Sequence, residues 1–345
     1  MKTKIALLIV ALAAMPLVST AEPFNRERIP TETKWLVHLD VEGLLNTRIG
    51  EFATHILERE MKSEIEKIQS GFGHGIEIST DSLRSVSAFG NGYELTPDTG
   101  GVLVLDLEEK LKMIATGLLV QQSLAGADDD KAPVRTIENE DYSLYSIMGE
   151  VFVSLDDQNL VFVSKSREEM EEARNIWSGK EQGMGAANSF GNLTGTEEAF
   201  FFLAVAEDFN KSLPIPPQAN FLKLADSARI MIGESSDDLF AALSLDTQDK
   251  KGATQMQQIL QGLLAIAPLV APQDPAVQNL LSGTSLNNEN GKVSLSLRYS
   301  VEDAIQAFEK FEESKQARKK KKSKKKPNNQ TPSEKTQNDK TTPDA

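Results

Sequence analysis

Leu160 to Trp177 reads LVFVSKSREEMEEARNIW, and Val293 to Phe311 reads VSLSLRYSVEDAIQAFEKF. Each begins as an alternating apolar strand and turns, at Ser166 or Ser300, into a helix whose apolar residues recur three and four apart. Three positions after each serine stands an acid, Glu169 or Asp303. A hydroxyl and a carboxylate so spaced satisfy the free N–H groups of a helix start and suit its dipole. Two copies of one strand-to-capped-helix unit in one chain predict an internal duplication. It should bring Ser166 onto Ser300 and Trp35–Val41 onto Phe200–Ala206.

Working outward, the first half opens with the strand Lys34–Val41 (KWLVHLDV). There Trp35, Val37, Leu39 and Val41 share one face, and Leu36, His38 and Asp40 the other. A helix follows from about Arg48 to Gln69, where Ile49, Phe52, Ile56, Ile65 and Ile68 fall on one side. Strands are expected at Leu83–Phe89 and Gly101–Leu107, then a helix to about Val120 begun by Asp106 with Glu109 as a capping box. Tyr142–Ile147 leads into a hairpin of Glu150–Leu155 and Leu160–Ser164, turned by Asp156-Asp157-Gln158-Asn159.

The second half follows a similar order. Strands are expected at Ala199–Ala206, Ala228–Gly233 and Leu239–Asp246, with a short helix near Phe221–Ala225. A long apolar helix, Thr254–Ala267, should end at Pro268, and Asn290-Gly291 should turn the chain into Val293–Tyr299. The predicted fold class is α+β, with two similar halves of mainly antiparallel sheet and packed helices. The halves span residues 22–180 and 197–313 and are joined through the glycine-rich stretch Gly179–Thr196. Whether they share one sheet is left open.

Both ends of the chain are built differently. Lys2 and Lys4 precede an apolar run from Ile5 to Val18, too short to span a bilayer, and Ser19-Thr20-Ala21 supplies the small residues a signal peptidase accepts. Residues 1–21 are therefore expected to be a signal peptide cleaved between Ala21 and Glu22, which makes the protein secreted or periplasmic. There is no cysteine, hence no disulfide, thiolate site or lipid-bearing cysteine, and the core alone must hold the fold. Residues 314–345 form a basic, low-complexity tail expected to be disordered, with almost no apolar side chain to offset its ordering entropy.

Charge is divided as sharply. The net charge is -14, yet the tail holds 11 Lys or Arg against three acids and the signal adds two lysines, so residues 22–313 carry -24. Such a body repels phosphate and argues against nucleic-acid binding by the globule. The run Arg318, Lys319, Lys320, Lys321, Lys322, Lys324, Lys325 and Lys326 could hold an anionic polymer of the envelope or an acidic protein by counterion release. It could equally be solvated, or lie on its own acidic body.

Catalytic signatures are sparse. Three histidines, His38, His55 and His74, match no metal-ligand spacing, and solvated or hydrogen-bonded histidines are the plainer reading. His38 and Asp40 share a strand face and could pair as a general base, although no Gly-x-Ser-x-Gly supplies a nucleophile. The glycines at 71–75 and 183–185 complete neither a dinucleotide nor a phosphate loop. Asp128–Asp130 and Asp156-Asp157 lack the alternation of a calcium loop. No catalytic residue, metal site or cofactor is expected. The leading expectation is an exported, non-enzymatic binding or structural module. A hydrolase built from scattered carboxylates or from His38 and Asp40 is the alternative.

Trp35-Leu36-Val37-His38-Leu39-Asp40, the segment Asp81-Ser82-Leu83-Arg84-Ser85-Val86 running on to Phe89-Gly90, and Tyr142-Ser143-Leu144-Tyr145 carry one resemblance. Over residues 33–177 the chain resembles a family of uncharacterised secreted bacterial proteins with a Trp-x-x-His-x-Asp first strand. The resemblance implies export and this strand order, and it brings no activity or site residue.

Overall fold

In a computed structural model of the protein, the described residues are 24–56, 82–93, 100–125, 132–139, 142–185, 200–212, 215–270 and 275–310. The chain divides into two compact units, Met1–Ala304 and Ile305–Ala345, and every strand among the described residues lies in the first. In the second, residues 305–310 are helical.

The first half contributes β1 (Trp35–Asp40), β2 (Leu83–Gly90), β3 (Val102–Leu107), β4 (Val134–Ile137), β5 (Ser143–Ile147), β6 (Val151–Leu155) and β7 (Leu160–Ser164). The second contributes β8 (Phe202–Glu207), β9 (Ala225–Ser235), β10 (Asp238–Thr247), β11 (Thr284–Glu289) and β12 (Lys292–Ser300). All twelve join in one antiparallel sheet, in the order β11-β12-β10-β9-β8-β1-β2-β3-β7-β6-β5-β4. The halves therefore share a single sheet, zipped at β1 and β8.

The duplication is visible in that order. From the central pair, β1-β2-β3-β7-β6 runs one way and β8-β9-β10-β12-β11 the other, and only the first half extends further, through β5 and β4. The registers carry the match to single residues. Phe162 lies four positions before Ser166, and its row crosses the sheet through Val104 and Ser87 to His38. Ser296 lies four positions before Ser300, and its row crosses through Ala242 and Met231 to Leu203. The two rows meet, since His38 faces Leu203 across the β1·β8 pair. A local twofold through that pair places Trp35 on Phe200, as predicted from the sequence.

Both capped helices form as expected. Ser166 Oγ accepts from Glu169 N at 3.3 Å at the start of the Arg167–Trp177 helix. Ser300 Oγ accepts from Asp303 N at 3.4 Å at the start of the helical residues 301–304. Glu169 does not close a capping box, because its carboxylate accepts from Gly101 N at 3.1 Å instead. Ser166→Ala should lower stability by about 1 kcal/mol through loss of the cap, read as a shift of the urea midpoint at constant slope.

Alternation of apolar residues gives the sheet two buried faces. On one, Leu36, Phe89, Val104, Phe162 and Leu203 pack beneath Met170 and Ala173 of the Arg167–Trp177 helix. The other face is covered in the first half by the Val41–Leu45 and Glu109–Ala125 helices, around Leu83, Leu105 and Val161. In the second half the Lys250–Val270 helix covers it, with Ala253, Met256 and Leu260 on Leu245 and Val293. Trp35 explains two glycines. Its Nε1 donates to Gly92 O at 2.8 Å. A Cβ on Gly90 would lie 2.8 Å from that nitrogen, and one on Gly101, where φ is +70°, would lie 2.7 Å from the ring.

Several boundaries differ from expectation. Val41 belongs to a helix and not to β1, because Asp40 caps it. Asp106 sits in the β3 ladder opposite Ser85 and Leu160 and does not start the next helix. Pro268 does not stop the Lys250–Val270 helix but lies inside its last turn, where its missing N–H forgoes one i→i−4 hydrogen bond. Pro217–Leu224 is a 3-10 segment, and Ala225 already belongs to β9. β4, β11 and the Pro275–Ser282 helix were not anticipated. VRTI and TSLNNE are short polar edge strands with no strong alternation. The expected helix is seen over residues 48–56, and the rest of its range lies outside the described residues.

Candidate functional site

His38 occupies the middle of the sheet, on the central strand β1. It is 4% exposed. Its Nδ1 lies 2.9 Å from Ser87 Oγ on β2, and the Phe24 ring packs over it with centroids 5.3 Å apart. Burial alone pulls its pKa down to about 4, so the imidazole is neutral across the ordinary pH range. Its Nε2 is buried and makes no hydrogen bond among the described residues, and neither does Nε1 of Trp177. Both residues line a cavity of about 20 Å³ together with Phe24, Arg28, Ser87 and Asp106.

The next row of the same face is Asp40, Ser85 and Asp106. Asp40 Oδ1 accepts from Gly43 N at 2.7 Å and so begins the Val41–Leu45 helix. Burial raises its pKa to about 6; the Gly43 hydrogen bond opposes that rise and the charge of Glu42 adds to it. His38 and Asp40 thus share a face without forming a pair: one is bonded to a serine, the other to a helix start.

This geometry bears on the hydrolase alternative. A general base needs a nucleophile that substrate can reach, and Ser87, the hydroxyl on His38, is 3% exposed. A cavity of that size takes one water and no substrate group. The short strap from Phe24 to Ile29, with Arg28 stacked 4.8 Å over Trp177, roofs it. Among the described residues no group of three His, Asp or Glu side chains is placed to hold a metal ion.

Other singled-out residues do not gather here. His55 is exposed on the helical residues 48–56. Asp156 serves its turn, its Oδ1 accepting from Gln158 N and Leu160 N at 3.0 and 2.9 Å. Ala21, Glu22, His74, Asp128–Asp130 and the run Arg318–Lys326 lie outside the described residues.

A second surface was missed from the sequence. The Glu109–Ala125 helix buries Leu111 but exposes Met113, Val120 and Leu124, which recur at i, i+7 and i+11 on one stripe. The Lys250–Val270 helix exposes Ile259, Leu263, Ile266 and Leu269, beside its buried stripe. These helices occupy matching places, each following the third strand of its half. Neither carries a charge between residues 113 and 125 or between 252 and 270, in a chain that is 26% charged. That silence was the available signal. It passed as ordinary core because an apolar helix stripe is buried in most globular proteins.

Fold and sites together define an α+β protein of two like halves on one antiparallel sheet, with a buried polar cluster and two apolar helix surfaces. No protein-family model and no curated protein sequence matches the chain. Among solved structures it is similar to crystal form IV of TP0453, at 13% identity and a TM-score of 0.45 over 84% of this chain and 97% of that one. Crystal form III matches at 12% identity and a TM-score of 0.45, and form I at 12% and 0.43.

Proposed function

We propose that this is an exported, non-enzymatic binding module that meets its partner through the outer sides of the helices Glu109–Ala125 and Lys250–Val270. The observation that carries the reading is the pair of exposed apolar stripes. Met113 is 67% exposed, Leu124 71% and Leu269 77%. Side chains of this size stay in water on a folded protein chiefly where something else covers them in use. The His38 cavity, with room for one water and with Ser87 buried, supports a binding role over hydrolysis.

The test is retention by envelope extract. The parent protein should be retained, and a variant carrying Met113→Gln, Leu124→Gln, Leu263→Gln and Leu269→Gln should lose retention while keeping its circular dichroism. Equal retention of both would defeat the reading. Export is tested separately: intact mass of protein recovered from an exporting cell should begin at Glu22.

A second reading rests on the Arg318–Lys326 run, which suits an anionic polymer. Retention through it should vanish on truncation after Glu313 and weaken steeply as salt rises from about 50 to about 200 mM.

A further inference from the structure

We infer that the two helix stripes seat the protein on a lipid surface, lying in the interface without crossing it. The inference rests on the binding reading above and names its partner.

Three observations converge on it. First, both helices cover the same face of the sheet, since one packs on Leu105 and Val161 and the other on Leu245 and Val293, all of which alternate away from the His38–Leu203 row. Between them that face stays open at Val37 and Ile230, 39% and 41% exposed, joined across the strands by Ala204. Apolar exposure thus flanks this face of the sheet on both helices and continues across the middle of the face.

Second, charge is missing from far more than the stripes. Between residues 252 and 270 every polar side chain is Gln or Thr, and between 113 and 125 Gln, Ser or Thr. A partner protein buries a patch whose rim remains polar and often charged. An acyl-chain boundary excludes charge from everything that approaches it.

Third, each helix carries paired lysines in its first turn, Lys110 with Lys112 after Glu109, and Lys250 with Lys251. Long stems with cationic heads reach headgroup phosphates while the rest of the helix lies deeper. No described helix is long and apolar enough to cross a membrane, so a side-on seat is the geometry these stripes permit.

The body's charge of -24 sets the expected signature. Its field opposes an anionic surface, so attachment must come from apolar insertion and be insensitive to salt. The experiment is flotation of the mature full-length chain with vesicles of phosphatidylcholine alone, and with phosphatidylcholine and phosphatidylglycerol, at about 50 and about 500 mM salt. Binding to phosphatidylcholine should change by less than about twofold between the two salts and survive truncation after Glu313. It should fall at least about tenfold in the four-glutamine variant, whose substitutions are all at exposed positions.

Two results would overturn the inference. Flotation restricted to anionic vesicles, sensitive to salt and lost with the tail, would assign lipid binding to the lysine run. Absence of flotation while envelope retention still depends on the stripes would make the partner a protein. In that second case the binding reading survives and only the lipid assignment fails.

Discussion

Replacing Leu36 by alanine should destabilise the protein by about 3 to 5 kcal/mol and leave a single unfolding transition. Leu36 is fully buried at the centre of the sheet, between Phe89 on one side and Val205 on the other. The loss combines the transfer energy of the removed methyl groups with the cavity left behind, which rigid sheet neighbours close poorly. Because β1 belongs to the first half and β8 to the second, the cavity weakens both together. Urea unfolding followed by tryptophan fluorescence, which reports Trp35 and Trp177, and by circular dichroism, which reports the whole sheet, should give coincident curves. Two separated transitions would mean that the halves are independent.

The second large effect concerns acid. The folded-state pKa of His38 lies below its ordinary value, so its stabilising contribution is complete above about 6.5 and is lost as pH falls through about 4. A displacement of that size is worth on the order of 3 kcal/mol. Asp40 has the opposite sign. Its carboxyl is raised to about 6, so its contribution is full below the ordinary aspartate value and is lost as pH rises through about 6.

The double variant His38→Leu, Ser87→Ala removes both hydrogen-bond partners and puts at 38 the residue found at the related position 203. Measured against the parent, it should gain about 3 kcal/mol on going from pH 7 to pH 4. With His38 gone, Asp40 should make acid stabilising within that window. A difference between variant and parent that does not move with pH would show that His38 is not buried as a neutral ring.

The capped helices and their preceding strands were legible because a serine, an acid three residues on and a change of apolar period speak through local chemistry. From those two units the duplication followed, down to the match of Trp35 with Phe200. What the sequence could not show was the joining of the halves. A strand paired on both sides, with its polar face buried, looks, in KWLVHLDV, like any alternating strand with a polar face. The sequence therefore left His38 either solvated or hydrogen-bonded, and the sheet decides for a buried hydrogen bond to Ser87.

Edge strands β4 and β11 were lost for the reverse reason: TSLNNE takes its conformation from its neighbour, and its own residues say little. The outer stripes of the two long helices are a third case. Period shows which residues share a side, and only the packed sheet shows which side is covered.

The joining of the halves at β1 and β8 is the claim on which the fold, the twofold and the common helix face all depend. The absence of cysteine allows it to be tested without background. Asp40 N donates to Phe201 O and Glu207 N to Lys34 O, so Val37 and Ala204, opposed in register, form a non-hydrogen-bonded pair with side chains close together. The variant Val37→Cys, Ala204→Cys should oxidise in air to an intramolecular disulfide. Peptide mass mapping should recover the two strands as one linked species, while the control Val37→Cys, Leu297→Cys stays reduced. Free thiols in the first variant, or equal linkage in both, would contradict the shared sheet.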